Sequence, residues 1–333
     1  MKLAANPGLV ITRRDCGKRS ARTLMTESTI ASGAIAFIGF GEAARAFLDG
    51  WRTSPGFKAR VCAYDIMTDS PDPQVRAAKR ADYAAANIVG ASSAPEAVTG
   101  AEAVFSVVTA DQAHEAALAA APGLIKGALF FDCDSCAPQT KVRTGKAIEA
   151  AGARYVDVAV MAAVHPRLHR TPLLIGGPHA EAAAAALAAL DMSAKIHPGP
   201  VGAASAVKMI RSIMMKGLEA LVCECVLAGT KAGVIETVLD SLDDTYPGFG
   251  WRRRSAYMLE RVMTHGIRRA AEMREVALTV DLLGLKGEMS RASVEWEQAI
   301  GELGLRATSA EAADYRILAD RILDALDPAA REG

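Results

Sequence analysis

Residues 35–47 read IAFIGFGEAARAF, a short apolar run that passes through two glycines into a stretch with the composition of a helix. The pattern predicts a strand that turns sharply into a helix. Gly39 permits the turn, Gly41 lets the backbone approach a ligand, and Ala44 lets helix and strand pack closely. The first turn of such a helix offers free N–H groups to an anion. The residues expected at the pyrophosphate of a dinucleotide are Gly39, Phe40, Gly41, Glu42, Ala43 and Ala44.

An acidic residue follows this loop at a suitable distance. Asp65 comes directly after the predicted strand 60–64, about 20 residues beyond Ala44, where a carboxylate binds the ribose 2′-hydroxyl of NAD. No arginine follows at once, which favours NAD over NADP. Thr109, after the predicted strand 103–108, is also expected at the cofactor. A strand, turn and helix without a ligand, or a site for FAD or S-adenosylmethionine, are the alternatives to an NAD site.

Strands and helices alternate over the first part of the chain, which predicts a mostly parallel, doubly wound sheet. From about Gly199 the pattern is helical, beginning with a nearly uninterrupted run at 202–230 that is apolar on most faces and therefore buried on several sides. We therefore predict an α/β Rossmann-like, doubly wound domain over residues 33–198, followed by an all-α C-terminal domain over residues 199–333.

The composition excludes several classes of protein. Of the 333 residues, 51% are hydrophobic, and 38 basic residues balance 38 acidic ones. General nucleic-acid binding needs excess positive charge, and a membrane helix needs about 20 consecutive apolar residues; the sequence has neither. We therefore expect a cytoplasmic protein that binds a small molecule and interacts with neither nucleic acid nor membrane.

Cysteines and the N-terminus give weaker signals. The six cysteines are expected to be reduced thiols, because the chain is large and has no secretion signal. Cys133 and Cys136 form a single C-x-x-C without the second pair that a zinc site needs, so no metal is expected.

Residues 1–32 are basic, and we interpret them as a disordered extension or as an over-long start with Met25 as initiator. An organelle-targeting segment or an ordered arm are the alternatives.

Three segments together resemble the β-hydroxyacid dehydrogenases, relatives of 6-phosphogluconate dehydrogenase. GFGEAA at 39–44 looks like the family's cofactor loop, and YVDVAVMAA at 155–163 is similar to its substrate segment, D-x-P-V-S-G-G. GPVGAASAVKMIR at 199–211 is similar to its catalytic segment, G-x-x-G-x-G-x-x-x-K-x-x-N. The helical C-terminal half looks like an uncharacterised domain found in one branch of these proteins.

The resemblance implies an NAD(P)-dependent dehydrogenase or reductase with Lys208 as its general acid and base. In the family that lysine exchanges the proton at the substrate oxygen while a hydride passes to or from nicotinamide C4. Lys208 lies on a mostly apolar predicted helix, where desolvation lowers the pKa of a lysine. Lys216, on a nearby helical face, is the reserve candidate. The alternative for Lys208 is a lysine that reaches the surface or pairs with a carboxylate.

Two departures from the family concern the substrate. The family's serine and two glycines correspond to Met161, Ala162 and Ala163, so a hydroxyl that helps to hold a carboxylate is missing. Its asparagine corresponds to Arg211, whose guanidinium suits a carboxylate or a phosphate and shares a helix face with Lys208. We expect these four residues to contact a small anionic hydroxyacid or carbonyl substrate.

The same features leave two alternative functions open and also predict a homodimer. An imine reductase shares a similar two-domain layout and would not need Lys208 as a proton donor. A catalytically inactive, dinucleotide-binding regulatory protein would also explain the departures. The long apolar run at 202–230, followed by more helix than one small core covers, predicts a homodimer in which the helical domains pack together.

Overall fold

The computed structural model describes residues 30–327 and confirms the predicted fold class, a Rossmann-like sheet domain followed by helices. Residues 1–29 and 328–333 lie outside the described part, and the interpretation of the N-terminal extension falls almost entirely on them. Within residues 30–327, no helix has the length and apolar character of a membrane-spanning segment.

The sheet has eight strands with one change of direction. They are β1 (Ala34–Ile38), β2 (Arg60–Tyr64), β3 (Val89–Gly90), β4 (Ala103–Ser106), β5 (Leu129–Asp132), β6 (Arg154–Val160), β7 (Leu173–Gly176) and β8 (Ala194–Ile196). Their order is β3-β2-β1-β4-β5-β6-β7-β8, and every pair is parallel except β6 with β7. The order reverses between β1 and β4, and open sheets bind ligands at the carboxyl ends of strands beside such a switch point.

Helices cover both faces of the sheet. They are α1 (Glu42–Arg52), α2 (Pro73–Ala85), α3 (Ala94–Val98), α4 (Ala113–Ala120), α5 (Pro138–Ala150) and α6 (Ala180–Ala189). Buried residues of α1 and α6 pack with one face of the sheet. Those of α3, α4 and α5 pack with the other face. Both faces are therefore dry, as a parallel sheet requires.

The second part of the molecule is helical. Its helices are α7 (Ala203–Lys231), α8 (Ile235–Thr245), α9 (Trp251–Leu282), α10 (Glu288–Glu302) and α11 (Tyr315–Leu326). Helices α9 and α10 cross closely at Gly266 and Gly301. A Cβ on Gly266 would lie 2.3 Å from the carbonyl oxygen of Glu297, and one on Gly301 would lie 2.5 Å from the amide of Ile267. Only glycine therefore fits at this crossing.

Asp157, on β6, joins the sheet to the first turn of α7. Its side chain is fully buried, and Oδ2 accepts hydrogen bonds from the amides of Gly202 at 2.9 Å and Ser205 at 3.2 Å. The hydroxyl of Ser205 donates to Oδ1. A carboxylate at a helix N-terminus satisfies free N–H groups and interacts favourably with the helix dipole. The start of α7 is thus fixed to the sheet.

A cluster of buried charged side chains lies inside the helical part. Arg269 on α9 pairs with Glu219 on α7, with Nη1 and Oε2 2.5 Å apart. Glu297 on α10 is fully buried, and neither of its carboxylate oxygens has a hydrogen-bond partner. Burial raises the pKa of Glu297 to about 8, against the opposing effect of Arg269. The side chain is therefore mostly protonated at neutral pH.

Replacing Glu297 with glutamine should remove a loss of stability that the wild type shows as the pH rises. The folded state holds the Glu297 proton more tightly than the unfolded chain, whose ordinary pKa is 4.5. The free energy of unfolding is therefore highest below that value and falls as the pH rises through about 8. At about 1.4 kcal/mol per unit of pKa difference, the loss between pH 5.5 and pH 9 is roughly 3 kcal/mol.

Denaturant unfolding at pH 5.5, 7 and 9 checks this expectation. The exposed Glu295→Gln on the same helix is the matched control. It should keep the wild-type slope of stability against pH. If the free energy of unfolding changes with pH in the same way in wild type and Glu297→Gln over this range, the prediction is contradicted.

Candidate active site

The predicted phosphate loop has the geometry of a ligand cradle. Gly39 has a φ of 84°, and a Cβ there would lie 2.9 Å from the carbonyl oxygen of Val107, so only glycine fits. Gly41 is the N-cap residue of α1, and no side chain caps the helix there. A Cβ on Gly41 would meet nothing within 4 Å, so the loop faces open space. Backbone N–H groups at an uncapped helix start suit a pyrophosphate.

Asp65 lies beside this loop, as the sequence predicts. Oδ2 accepts a hydrogen bond from the amide of Phe40 at 2.8 Å, and Oδ1 accepts one from the amide of Met67 at 3.0 Å. Each carboxylate oxygen has a second lone pair that a ribose hydroxyl could use. The carboxylate is therefore fixed in place and still able to accept a ligand's hydrogen bonds.

Lys79 on α2 is a neighbour of Asp65 that the sequence analysis missed. Its Nζ lies 3.6 Å from Oδ2 of Asp65 and donates to the carbonyl oxygen of Phe40 at 2.9 Å. No apolar stripe marks α2 in the sequence, so neither the helix nor this lysine was predicted. A cation beside the acidic residue weakens the repulsion that Asp65 would exert on a 2′-phosphate.

The segment after β4 runs past Gly39 and is held by Asp134. The amide of Val108 donates to Oδ1 of Asp134 at 2.6 Å, and the hydroxyl of Ser106 donates to Oδ2 at 2.6 Å. Thr109 is the next residue and is exposed. It therefore begins the loop that leaves the sheet next to the phosphate loop, on the side of the switch point.

A buried ion pair supports the neighbouring strand ends. Nζ of Lys141 lies 2.7 Å from Oδ1 of Asp132, and the hydroxyl of Tyr155 donates to Oδ2 at 2.5 Å. Burial lowers the pKa of Lys141, but Asp132 and the charges near it raise the pKa above its ordinary range. All three side chains are buried, so this lysine stabilises the strand ends and is closed to a ligand.

The two cysteines of the C-x-x-C are buried in the same region. Burial raises the pKa of the thiols of Cys133 and Cys136 well above the ordinary value. Both are therefore protonated at neutral pH, which does not suit a reactive thiol. Among residues 30–327, no group of three or more candidate ligands comes together as a metal site would require.

Lys208 lies between the sheet and the helical part. It is half-buried on α7, and Nζ donates a hydrogen bond to Oγ of Ser135, in the loop after β5, at 2.6 Å. Burial lowers the pKa of Lys208 to about 8; Lys216 and Lys141 also lower it, and Glu272 opposes them. A lysine of this pKa exchanges a proton readily near neutral pH.

Lys216, the reserve candidate, has a different environment. It is buried, its Nζ lies 2.8 Å from Oε2 of Glu272 on α9, and it donates to Oγ of Ser212 at 3.2 Å. Lys216 therefore pairs with a carboxylate, which was the alternative considered for Lys208. No ion pair of 4.0 Å or less is formed by Lys208 within the described part of the chain.

Within residues 30–327, no hydrogen bond or ion pair joins the four expected substrate residues to Lys208. Met161, half-buried, and Ala162 and Ala163, both exposed, lie in the loop after β6. Arg211 is exposed on α7, and no side chain or carbonyl within residues 30–327 forms an ion pair or hydrogen bond with its guanidinium. Its charge is therefore available to a ligand.

Comparison with protein families supports the sequence prediction. Residues 34–210 match the family described as the NAD binding domain of 6-phosphogluconate dehydrogenase, and residues 230–300 match a domain of unknown function, DUF1932. A 3-hydroxyisobutyrate dehydrogenase of Pseudomonas aeruginosa is 30% identical over 169 residues, which are 49% of this chain and 56% of that protein. The match thus covers about half the length of each.

Solved structures resemble the chain over most of its length. A conserved hypothetical protein from Sinorhizobium meliloti 1021 is 36% identical, with a TM-score of 0.66, and the match covers 89% of this chain and 97% of that one. The 3-hydroxyisobutyrate dehydrogenase of Mycobacterium tuberculosis, solved with L-serine, has a TM-score of 0.64 at 16% identity, over 87% of this chain and 98% of that one. The latter likeness shows the fold alone.

Replacing Asp65 with asparagine should weaken a preference for NADH over NADPH. The substitution removes the charge that repels a 2′-phosphate and keeps Lys79 beside the site, where it still pairs with Asp82 at 3.1 Å. We expect the ratio of the two dissociation constants to move toward NADPH by about tenfold, or about 1.4 kcal/mol. Fluorescence titration with both reduced cofactors measures the ratio, and the exposed Asp49→Asn on α1 is the control. Wild-type protein that binds NADPH as tightly as NADH would refute the preference.

Proposed function

This chain belongs to the family that carries the NAD binding domain of 6-phosphogluconate dehydrogenase, and on that premise we propose that it transfers a hydride between NAD and a small anionic hydroxyacid or carbonyl compound. The membership confirms the family predicted from the sequence and NAD(P) as the cofactor class. The observation that carries the proposal is the half-buried ammonium of Lys208, bonded to Ser135 and free of any carboxylate partner within residues 30–327.

The loop from Gly39 to Ala44 would hold the pyrophosphate, and Asp65 would hold the adenosine ribose. The open space at Gly41 and the uncapped start of α1 fit this group. The cofactor, when bound, supplies nicotinamide C4 as the hydride donor or acceptor. The closed packing of both sheet faces leaves the carboxyl ends of β1 and β4 as the place for this chemistry.

Lys208 would move the proton that accompanies the hydride. With a pKa of about 8, both forms of its amine are populated near neutral pH. The neutral amine takes the proton from a substrate hydroxyl during oxidation, and the ammonium returns it to a carbonyl oxygen during reduction. Ser135 holds Nζ in place between these events, because its hydroxyl can accept the ammonium's hydrogen bond or donate one to the neutral amine.

Arg211 would bind the anionic group of the substrate. Its guanidinium is exposed, without a partner in the described part of the chain, three residues after Lys208 on the same helix. Residues at this spacing are neighbours on a helix surface, so one small molecule could reach both cations. The name of the Pseudomonas aeruginosa relative makes short 3-hydroxyacids the first substrates to test.

Replacing Lys208 with alanine should abolish most turnover and leave NAD affinity unchanged. Loss of a general acid and base lowers kcat by about 10²–10⁴. The companion Arg211→Asn should instead raise KM for a carboxylate substrate, roughly ten- to a hundredfold, as the loss of a charge-assisted hydrogen bond predicts. A panel of short 3-hydroxyacids, L-serine, ketoacids, aldehydes and imines, assayed by NADH absorbance, supplies the substrate.

Lys195→Ala, on an exposed residue of β8, is the control for both variants. Near wild-type turnover by Lys208→Ala would overturn the proposed role, and turnover of imines alone would favour an imine reductase. Tight NAD binding with no turnover across the whole panel would favour a regulatory protein.

We further propose a homodimer that forms through the helical part. Exposed apolar side chains recur on one side of α7 at spacings typical of a single helix face: Val207, Ile210, Met214 and Leu221. Met289, 70% exposed, begins α10, and Ser293 of that helix packs against Gly217 of α7. Apolar side chains on two adjoining helices favour a second copy as the partner.

Light scattering at micromolar concentration should give about twice the chain mass of 34.9 kDa. Met214→Glu places a charge in the apolar surface of α7 and should yield monomers, because burying an unpaired charge is costly. Leu118→Glu, an exposed apolar position on α4, should leave the dimer intact. A wild-type monomer at this concentration would contradict the proposal.

A further inference from the structure

Three polar side chains lie on one face of α7, at intervals of four residues: Lys208, Ser212 and Lys216. A rise of about 1.5 Å per residue places successive members about 6 Å apart along the axis. Long side chains on a helix point toward its N-terminus, and the 3.2 Å hydrogen bond from Nζ of Lys216 to Oγ of Ser212 shows that Lys216 does so. Its ammonium therefore lies beside Ser212, about one helical turn from the backbone of Lys208.

Glu272 reaches this face from α9. Its Oε2 lies 2.8 Å from Nζ of Lys216, and its Oε1 lies 3.7 Å from Nη1 of Arg268. Burial raises the pKa of Glu272, but Lys216, Lys208 and Arg268 together bring it down to about 2. The carboxylate is thus ionised at neutral pH and pairs with Lys216 and, at a longer distance, with Arg268.

The other groups that act on Lys208 carry little net charge. Cys133 is a protonated thiol, because burial raises its pKa. Lys141 is paired with Asp132 at 2.7 Å, and Ser135 is a neutral hydroxyl bonded to Nζ of Lys208. The protonation of Lys208 therefore depends mainly on the charges of Lys216 and Glu272.

We infer that Lys216 and Glu272 are positioning residues for Lys208: by pairing with Lys216, the Glu272 carboxylate is kept from pairing with Lys208, whose amine stays with Ser135 and the substrate. The inference rests on the proposed role of Lys208 and adds the two residues that make that role possible. Coulomb attraction between a free Glu272 and Lys208 would otherwise hold the proton on the amine.

The two members of the pair should affect Lys208 in opposite directions. Lys216→Met removes a cation and frees Glu272 to pair with Lys208, so the proton is held more tightly. Glu272→Gln removes the anion and leaves two cations near each other, so the proton is held less tightly. The double variant should come back toward wild type. A residue that only stabilises the fold would not produce opposite effects.

The titration of Lys208 can be followed without substrate or cofactor. Lysines of the full chain are reductively methylated with ¹³C-formaldehyde, and the Lys208 resonance is assigned by its absence from Lys208→Ala. Its pH midpoint should rise by roughly one pH unit in Lys216→Met and fall by a similar amount in Glu272→Gln, as expected for a charge about one helical turn away. Lys216→Arg, which keeps the charge, should restore the wild-type midpoint.

Midpoints that move in the same direction in both single variants, or that stay within about 0.2 pH units of wild type, would overturn the inference. Thermal melts identify any variant that does not fold. If a single variant fails to fold, the Lys208 midpoint is measured in Lys216→Arg and in the double variant instead. Once a substrate is found, the acidic limb of the kcat profile for oxidation, or the basic limb for reduction, should move with the midpoints. If the midpoints shift as expected while Lys208→Ala retains full turnover, the proposed function fails and the electrostatic coupling remains.

Discussion

The carboxylate of Asp157 connects the helical half of the molecule to the sheet by hydrogen bonds. It lies fully buried on β6 and accepts hydrogen bonds from three donors in the first turn of α7. Because a helix is rigid, fixing that turn also fixes Lys208, one turn later, above the loop that carries Ser135. If Asp157 were lost, the amides of Gly202 and Ser205 would be buried without an acceptor, at about 1–3 kcal/mol each.

The cations near the strand ends differ in whether they are neutralised. Lys141 and Lys216 are buried and each forms a short ion pair, so the charge of each is neutralised by a carboxylate. Lys208 and Arg211 have no carboxylate partner in the part of the chain that the structure describes. Lys208 is half-buried, so desolvation of its unpaired ammonium costs stability, and groups perturbed in this way concentrate at functional sites. Arg211 is exposed, so its charge is solvated and open to a ligand.

Structural features that depend only on residues adjacent in the chain could be predicted from local sequence patterns. The phosphate loop and the position of Asp65 could be predicted because strand, turn and helix follow one another, and Lys208 became the candidate acid and base through its place in a contiguous segment. Helix α2 was missed because Tyr83 is its one buried residue, which leaves no apolar stripe. The strands β3 and β8, of two and three residues, were too short to give a pattern.

The contacts that tune the site could not be predicted, since they join residues far apart in the chain. Lys216 with Glu272 and Asp132 with Tyr155 meet only after folding, and nothing local marks either pair. One signal was available. Aspartates alternate in FDCDS just after a buried strand, a pattern that indicates carboxylates at a strand end and could have directed attention to Asp134.

The contact between Lys216 and Glu272 also limits how this chain can recombine with others. Lys208 lies in the region matched by the NAD-binding family, residues 34–210, whereas Glu272 lies in the region of unknown function, residues 230–300. A chimera that joins the first region to a foreign helical domain would inherit Lys208 without the carboxylate that pairs with its neighbour Lys216. Such exchanges must carry both sides of the α7–α9 contact, so these two segments are expected to be inherited as a unit.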